Sequence, residues 1–106
     1  MGGGFDNYKD QVAYELRMAN DGKPVDVLYA MDKDINEIAW EGDVELVYND
    51  WISKHMEQFK DPTYKEILLW INKCMEINGA GDHVYFEGIR KDTSDGMVEY
   101  SVIMGS

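Results

Sequence analysis

The chain has 106 residues, of which 44% are apolar and 12% aromatic, so it is long enough to bury one hydrophobic core without a metal or a disulfide. Its 21 acidic residues against 10 basic ones give a formal net charge of -11. This charge excludes direct nucleic-acid binding, which needs clustered Lys and Arg, and disfavours contact with anionic membranes. The aromatic content argues against disorder. We therefore expect a single domain over residues 1–106, with residues 1–4 as a flexible glycine-rich lead-in.

The apolar pattern predicts helices over the first part of the chain. Helical spacing of apolar residues predicts a first helix over about Asp6–Ala19. A second is expected over Pro24–Trp40, where four apolar residues recur at steps of 3, 4 and 3. A third is expected over Val44–Phe59. Residues 25–30 and 44–48 also alternate between apolar and polar, so a strand remains an alternative for both stretches.

The last part of the chain predicts one more helix and then a hairpin. Asp61 is the expected N-cap of the fourth helix, Pro62 its first residue, and Asn78–Gly79 its end. Residues 83–90 and 97–104 are rich in β-forming residues and are separated by a turn-forming stretch. The expected fold class is therefore α+β, with about four helices followed by a C-terminal β-hairpin in a single compact domain.

The acidic residues are concentrated in one stretch of the chain. Residues 26–50 hold eight acidic residues and one basic residue, Lys33. On the predicted second helix and directly after it, four of these acids fall opposite the apolar face: Asp26, Asp34, Glu37 and Glu41. A solvated helix face is the simplest explanation, but it does not explain why basic residues are missing. Like charges one helical turn apart cost stability, so the band points to a partner that binds it.

We therefore predict a binding protein, not an enzyme, whose partner is a basic protein surface. Carboxylates spaced along a helix can imitate a row of phosphates. The sharper hypothesis is an inhibitor that occupies the basic groove of a nucleic-acid-binding protein, as anti-restriction or anti-CRISPR proteins do. Trp40, beside the acidic residues, is a candidate interface anchor. The predicted partner-binding residues are Asp34, Glu37, Trp40, Glu41, Asp43 and Glu45.

Two other functions fit the sequence. Residues 32–36 place oxygen donors at alternate positions, as in the first half of an EF-hand loop. However, Glu37 and Asp43 stand where that loop requires Gly and Glu, so a calcium-binding module would use the acidic cluster in another way. The second alternative is a homo-oligomeric assembly subunit, such as a homodimer, with Leu69, Trp70 and the hairpin edge in the interface.

The sequence predicts no catalytic, metal or cofactor site. None of its serines lies in a nucleophile elbow. Cys74, His55 and His83 are scattered and lack the paired spacing of zinc ligands, so His55 is expected to be a partly buried structural residue. The single cysteine and the lack of a signal-peptide pattern predict a cytoplasmic protein. No apolar run approaches the ~20 residues that span a bilayer.

Overall fold

Two helices and five strands make up the described part of the chain. The structure is a computed structural model that describes residues 8–106, with side chains from residue 10 onward. The elements in these residues are α1 (Tyr8–Ala19), β1 (Leu28–Tyr29), β2 (Asp43–Asn49), β3 (Lys54–Lys60), α2 (Tyr64–Asn78), β4 (Tyr85–Ser94) and β5 (Met97–Gly105). The helix α1 matches the first predicted helix, whose expected start at Asp6 lies outside the described residues.

One mixed sheet contains all five strands. Their order is β1–β4–β5–β2–β3. The strands β2 and β3 form one antiparallel hairpin, and β4 and β5 form another. Parallel pairing of β2 with β5 joins the two hairpins, and β1 adds to β4 in parallel. The edge strands of the sheet are therefore β1 and β3.

The predicted fold class, four helices followed by a hairpin, is wrong because two of the four helices are not formed. Turns and the short strand β1 replace the helix expected over Pro24–Trp40, and the β2–β3 hairpin replaces the one expected over Val44–Phe59. In β2, Val44, Leu46 and Tyr48 point into the core. Burial therefore follows the two-residue period of a strand.

Both helices pack against one face of the sheet. Val12 and Leu16 of α1 and Ile67 and Ile71 of α2 belong to one buried cluster, together with sheet residues that include Phe86. We call the opposite face of the sheet the outer face. Because register fixes which side chains share a face, three residues lie side by side on it: Val47 of β2, Ser101 of β5 and Arg90 of β4.

The helix α2 is the central helix of the core, and its start differs from the prediction. Thr63 is the N-cap. Its Oγ1 accepts the Glu66 N–H at 3.2 Å, and the Glu66 carboxylate accepts the Thr63 N–H at 3.0 Å. Asp61, the predicted cap, instead accepts the N–H of Gly42 at 2.6 Å. The end predicted at Asn78–Gly79 is confirmed. Neither α2 nor another helix in residues 8–106 is long and apolar enough to span a membrane.

The C-terminal hairpin is confirmed, and it is longer than the sequence indicated. The two-residue turn Asp95–Gly96 has φ values of 52° and 79°, as a type I′ hairpin turn requires. A two-stranded hairpin alone is marginal in water. Here β1 and β2 extend it on both sides, so the hairpin forms the centre of the sheet.

Candidate functional site

The predicted partner-binding residues lie in a loop and at the start of β2, not on a helix. Three backbone hydrogen bonds tie this loop to the segment that enters α2, namely Lys65 N–H to Ile35 O (2.8 Å), Tyr64 N–H to Glu37 O (3.2 Å) and Ala39 N–H to Pro62 O (2.7 Å). The N–H of Asp61 also donates to Gly42 O at 3.0 Å. These bonds hold residues 35–42 beside the N-terminus of α2.

Seven exposed carboxylates lie on these two tied segments and the adjoining start of β2. They are the five predicted ones together with Asp61 and Glu66, and we call the set the acidic edge: Asp34, Glu37, Glu41, Asp43, Glu45, Asp61 and Glu66. Within the described residues, none of the seven forms a salt bridge. Lys60 lies directly opposite Asp43 in the β2–β3 register and supplies a positive charge at this place.

Two members of the acidic edge also shape their own loop. Glu37 Oε2 accepts the N–H of Asp34 at 3.0 Å, and Asp34 Oδ1 accepts the N–H of Asn36 at 2.9 Å. Trp40 is half-buried, and its ring meets that of Tyr100 edge to face at 4.6 Å. The indole of Trp40 thus packs against the core, while the two carboxylates remain exposed at the surface.

The residues of the two alternative functions are placed as follows. For the calcium-binding alternative, no group of three or more His, Cys, Asp or Glu side chains within residues 8–106 could hold a metal ion.

For the homo-oligomer alternative, Leu69 and Trp70 are half-buried, and Trp70 packs edge to face on Phe59 at 5.6 Å. The neighbouring edge strand β3 carries Lys54 and Lys60 at its ends and a glutamate at its centre. Charges on an edge strand discourage pairing with a second chain.

A buried carboxylate, Asp50, fixes the turn between β2 and β3. Its side chain is 1% exposed. Oδ1 accepts the N–H groups of Ile52, at 2.7 Å, and Ser53. Oδ2 is bonded to His55 Nε2 at 2.7 Å and to Asn78 Nδ2 at 2.9 Å. Asn78 is the last residue of α2, so Asp50 connects this turn to the end of the helix.

This cluster has the residue types of a catalytic triad without its geometry. A triad needs a serine hydrogen-bonded to the histidine. Here Ser53 Oγ accepts a hydrogen bond from Asn78 Nδ2 at 3.2 Å, while His55 is bonded to Asp50 and, among the described residues, not to Ser53. The Ser53 N–H, helped by the Asn78 and His55 side chains, holds the pKa of Asp50 well below its usual range although burial opposes it. Burial, with a smaller contribution from Asp50, raises the pKa of the Cys74 thiol to about 11.

Sequence reasoning counted Asp50 as part of the acidic band and missed its burial. The signal was present, since Asn49, Asp50 and Ser53 are turn-forming residues between two β-rich stretches. The expectation for His55 is confirmed in kind, because the ring is half-buried and hydrogen-bonded to Asp50. Its element is β3 and not a helix.

Comparison with known proteins found no match for this chain. No protein-family model matches the chain, and the searches of curated proteins and of solved structures found no significant match.

Proposed function

We propose that this protein is a binding protein whose acidic edge docks onto a basic surface of another protein. The observation that carries the proposal is the group of seven exposed carboxylates that backbone hydrogen bonds hold beside the N-terminus of α2. Acidic residues already neutralised by salt bridges within the protein would attract a basic partner only weakly. These seven have no salt bridge among the described residues.

The arrangement also fits docking in its rigidity. The loop is held at Ile35, Glu37, Ala39 and Gly42 by backbone hydrogen bonds to the residues around Pro62. A preformed surface loses less conformational entropy on binding than a mobile loop would. Electrostatic complementarity mainly raises the association rate and specificity. We therefore propose fast, salt-sensitive association, in the reducing cytoplasm that the single cysteine suggests.

The finer proposal is that the partner binds nucleic acid and that the acidic edge blocks its basic groove. A groove that binds phosphates is a common kind of basic protein surface. A dense group of carboxylates can pair with the same Lys and Arg side chains that bind the phosphates. The proposal now rests on charge and exposure, because the helix that would have spaced the carboxylates at ~5.4 Å is not formed.

The test compares two variants that each remove four negative charges. The edge variant carries Glu37→Gln, Glu41→Gln, Asp43→Asn and Glu45→Gln. The control variant carries Asp21→Asn, Asp82→Asn, Glu87→Gln and Asp95→Asn, all at exposed positions outside the edge. Asn tolerates the positive φ of positions 21 and 95. The immobilised probe is a peptide of ten arginines, measured by interferometry at low and high salt.

We expect the edge variant to lose about tenfold or more in affinity, and the control variant to lose clearly less. Binding of the wild type should weaken steeply with salt, because the Debye length falls to about 3 Å at 1 M. Equal losses in the two variants would show that only net charge matters, and the docking proposal would then be wrong.

The proposal that the partner binds nucleic acid needs a separate test. The protein should displace labelled duplex DNA from basic DNA-binding domains. Failure to displace it would leave docking without nucleic-acid mimicry.

A further inference from the structure

A cleft opens in the sheet where β2 and β5 stop pairing. These two parallel strands pair at two positions, Leu46–Tyr100 and Val47–Ser101. Beyond them, β2 continues along β3 and β5 continues along β4. The cleft between them has a volume of about 290 Å³, near the lower end of the ~300–1,000 Å³ typical of small-molecule sites. Trp51 from the β2–β3 turn and the loop of residues 80–83 line its sides.

The floor of this cleft holds an open hydroxyl. Ser101 is 5% exposed and lines the cleft, and its Oγ forms no hydrogen bond with another of the described residues. Every fully buried side-chain nitrogen or oxygen in the described part of the chain has a partner. The Ser101 Oγ must therefore reach the cleft surface. This hydroxyl is therefore free to donate or accept a hydrogen bond with a ligand in the cleft.

Two residues with basic side chains, Arg90 and His83, also line the cleft. Arg90 lies directly opposite Ser101 in the β4–β5 register. Its Nε is held by the Asp92 carboxylate at 3.0 Å. Its two terminal amino groups form no hydrogen bond or salt bridge with another of the described residues. His83 lines the cleft as well, and so does one acid, Asp82. Of the described residues around the cleft, Arg90 is the one Lys or Arg.

Trp51 supplies an aromatic surface at the mouth of the cleft. It is 71% exposed. The loop lies close to its ring, since a Cβ at Gly81 would be 3.5 Å from the indole Cδ1. The turn that presents Trp51 is fixed by the buried Asp50 carboxylate. An exposed tryptophan on a rigid turn, next to a cleft with open polar groups, is typical of a binding site.

We propose that this cleft binds a small ligand that carries a planar ring and one anionic group. The ring stacks on Trp51. The anionic group, a carboxylate or a phosphate, accepts hydrogen bonds from the terminal amino groups of Arg90, which suit such groups geometrically. Ser101 and His83 supply further hydrogen bonds. This site is separate from the acidic edge and does not depend on the docking proposal.

The charge of the protein limits how much negative charge the ligand can carry. With a net charge of -11, the protein repels anions at long range. Screening confines that repulsion to about 8 Å at physiological ionic strength, whereas Arg90 acts at contact. Asp82 at the cleft and Asp92, which is paired with Arg90, both oppose a second negative charge. One anionic group is therefore favoured over a polyphosphate.

The test uses two anionic probes and their neutral counterparts. The carboxylate pair is indole-3-acetate and indole-3-acetamide, and the phosphate pair is adenosine monophosphate and adenosine. Each is titrated into the ¹⁵N-labelled full chain while amide shifts are followed. We expect saturable shifts at residues 49–51, 80–83 and 101–103, with an anionic probe bound about tenfold tighter than its neutral counterpart. Whichever pair shows this difference identifies the anion. No saturation by about 10 mM, or equal affinities within both pairs, would overturn the proposal.

Two matched pairs of variants locate the binding. Arg90→Gln should abolish the preference for the anionic probe, whereas Lys91→Gln, its neighbour on the opposite face of β4, should not. Trp51→Ala should lower the affinity for every probe that binds, and Ile52→Ala on the same turn should leave these affinities unchanged. All four positions are exposed, so folding should be kept. If Arg90→Gln and Lys91→Gln behave alike, the assigned anion site is wrong. The edge variant should bind these probes as the wild type does, so the two proposals can fail separately.

Discussion

Asn72 is a buried polar residue, and replacing it tests how the segment before β1 is held to α2. The side chain is 2% exposed. Its Oδ1 accepts the N–H of Asp26 at 2.7 Å, and its Nδ2 donates to Glu76 at 3.3 Å. Asp26 immediately precedes the buried Val27. The hydrogen bond therefore fixes the entry into the strand at one edge of the sheet.

In Asn72→Ala, the Asp26 N–H loses its partner, which costs about 1–3 kcal/mol. Alanine is the better helix former by about 0.5 kcal/mol, which offsets part of this loss. The net loss of unfolding free energy should be about 1.5 kcal/mol, and the melting temperature should fall by roughly 6–12 °C for a domain of this size. Urea unfolding followed by circular dichroism measures the change through the midpoint, provided that the slope is unchanged.

Two further variants separate the hydrogen bond from packing. In Asn72→Leu the side chain fills the same space but offers no acceptor to the Asp26 N–H, so this variant should also be less stable than the wild type. Glu76→Ala removes the exposed carboxylate that accepts from Asn72, and its stability should stay within about 0.5 kcal/mol of the wild type. If Asn72→Leu is as stable as the wild type, the cost of Asn72→Ala is a cavity effect. The argument from the Asp26 N–H would then be refuted.

Three other changes test the polar contacts of the fold. The pKa of Asp50 is lowered in the folded state, so its stabilisation is present above the unfolded pKa of about 3.9 and is lost as the pH falls below it. The stability gap between wild type and Asp50→Asn, measured by urea unfolding, should therefore narrow from pH 7 to pH 3; a constant gap would contradict this. Thr63→Ala removes the N-cap of α2 and should cost about 1 kcal/mol, whereas Thr63→Ser should cost little. The Cys74 thiol is buried with a raised pKa, so it should react with a thiol reagent at pH 8 only after unfolding. Fast labelling of the native protein would count against that burial.

The elements that sequence reasoning identified correctly are those whose signals are local. The end of α2 at Gly79 and the turn at Asp95–Gly96 each depend on residues adjacent in the chain. The error at the start of α2 is also local. Asp61 and Thr63 are both good N-caps, and Thr63 has Glu66 three residues later, which completes a capping box.

The two helices predicted over Pro24–Trp40 and Val44–Phe59 are not formed, and the reason is not local in sequence. Leu28 and Ile38 fit a helical stripe in the sequence, yet both are exposed, while Val27 and Tyr29 are buried with the period of a strand. The local pattern allows both periods. Pairing of β1 with β4, more than 50 residues away, decides between them. For β3 the pattern is weak, because an edge strand buries few side chains and leaves little alternation to detect.

The candidate sites show the same division. Exposed carboxylates can be read from composition, and the five predicted ones are exposed. Their grouping with Asp61 and Glu66 depends on hydrogen bonds to a segment about 25 residues further along the chain. The cleft combines parts of β2, β4 and β5 with a loop. Its residues are ordinary strand residues in sequence, so no local motif predicts it.

The acidic edge and the cleft lie at opposite ends of β2, and this separation predicts that they act independently. Seven residues of β2 place Asp43 and Asn49 about 20 Å apart. That distance exceeds two Debye lengths at physiological ionic strength. A probe bound at the cleft should therefore change the affinity for the ten-arginine peptide by less than about twofold, because a coupling free energy needs a contact or a field shared by both sites. Interferometry with and without saturating adenosine monophosphate measures this. A larger change would show that the β2–β3 hairpin moves as a unit between two arrangements, and the picture of a rigid hairpin would have to be abandoned.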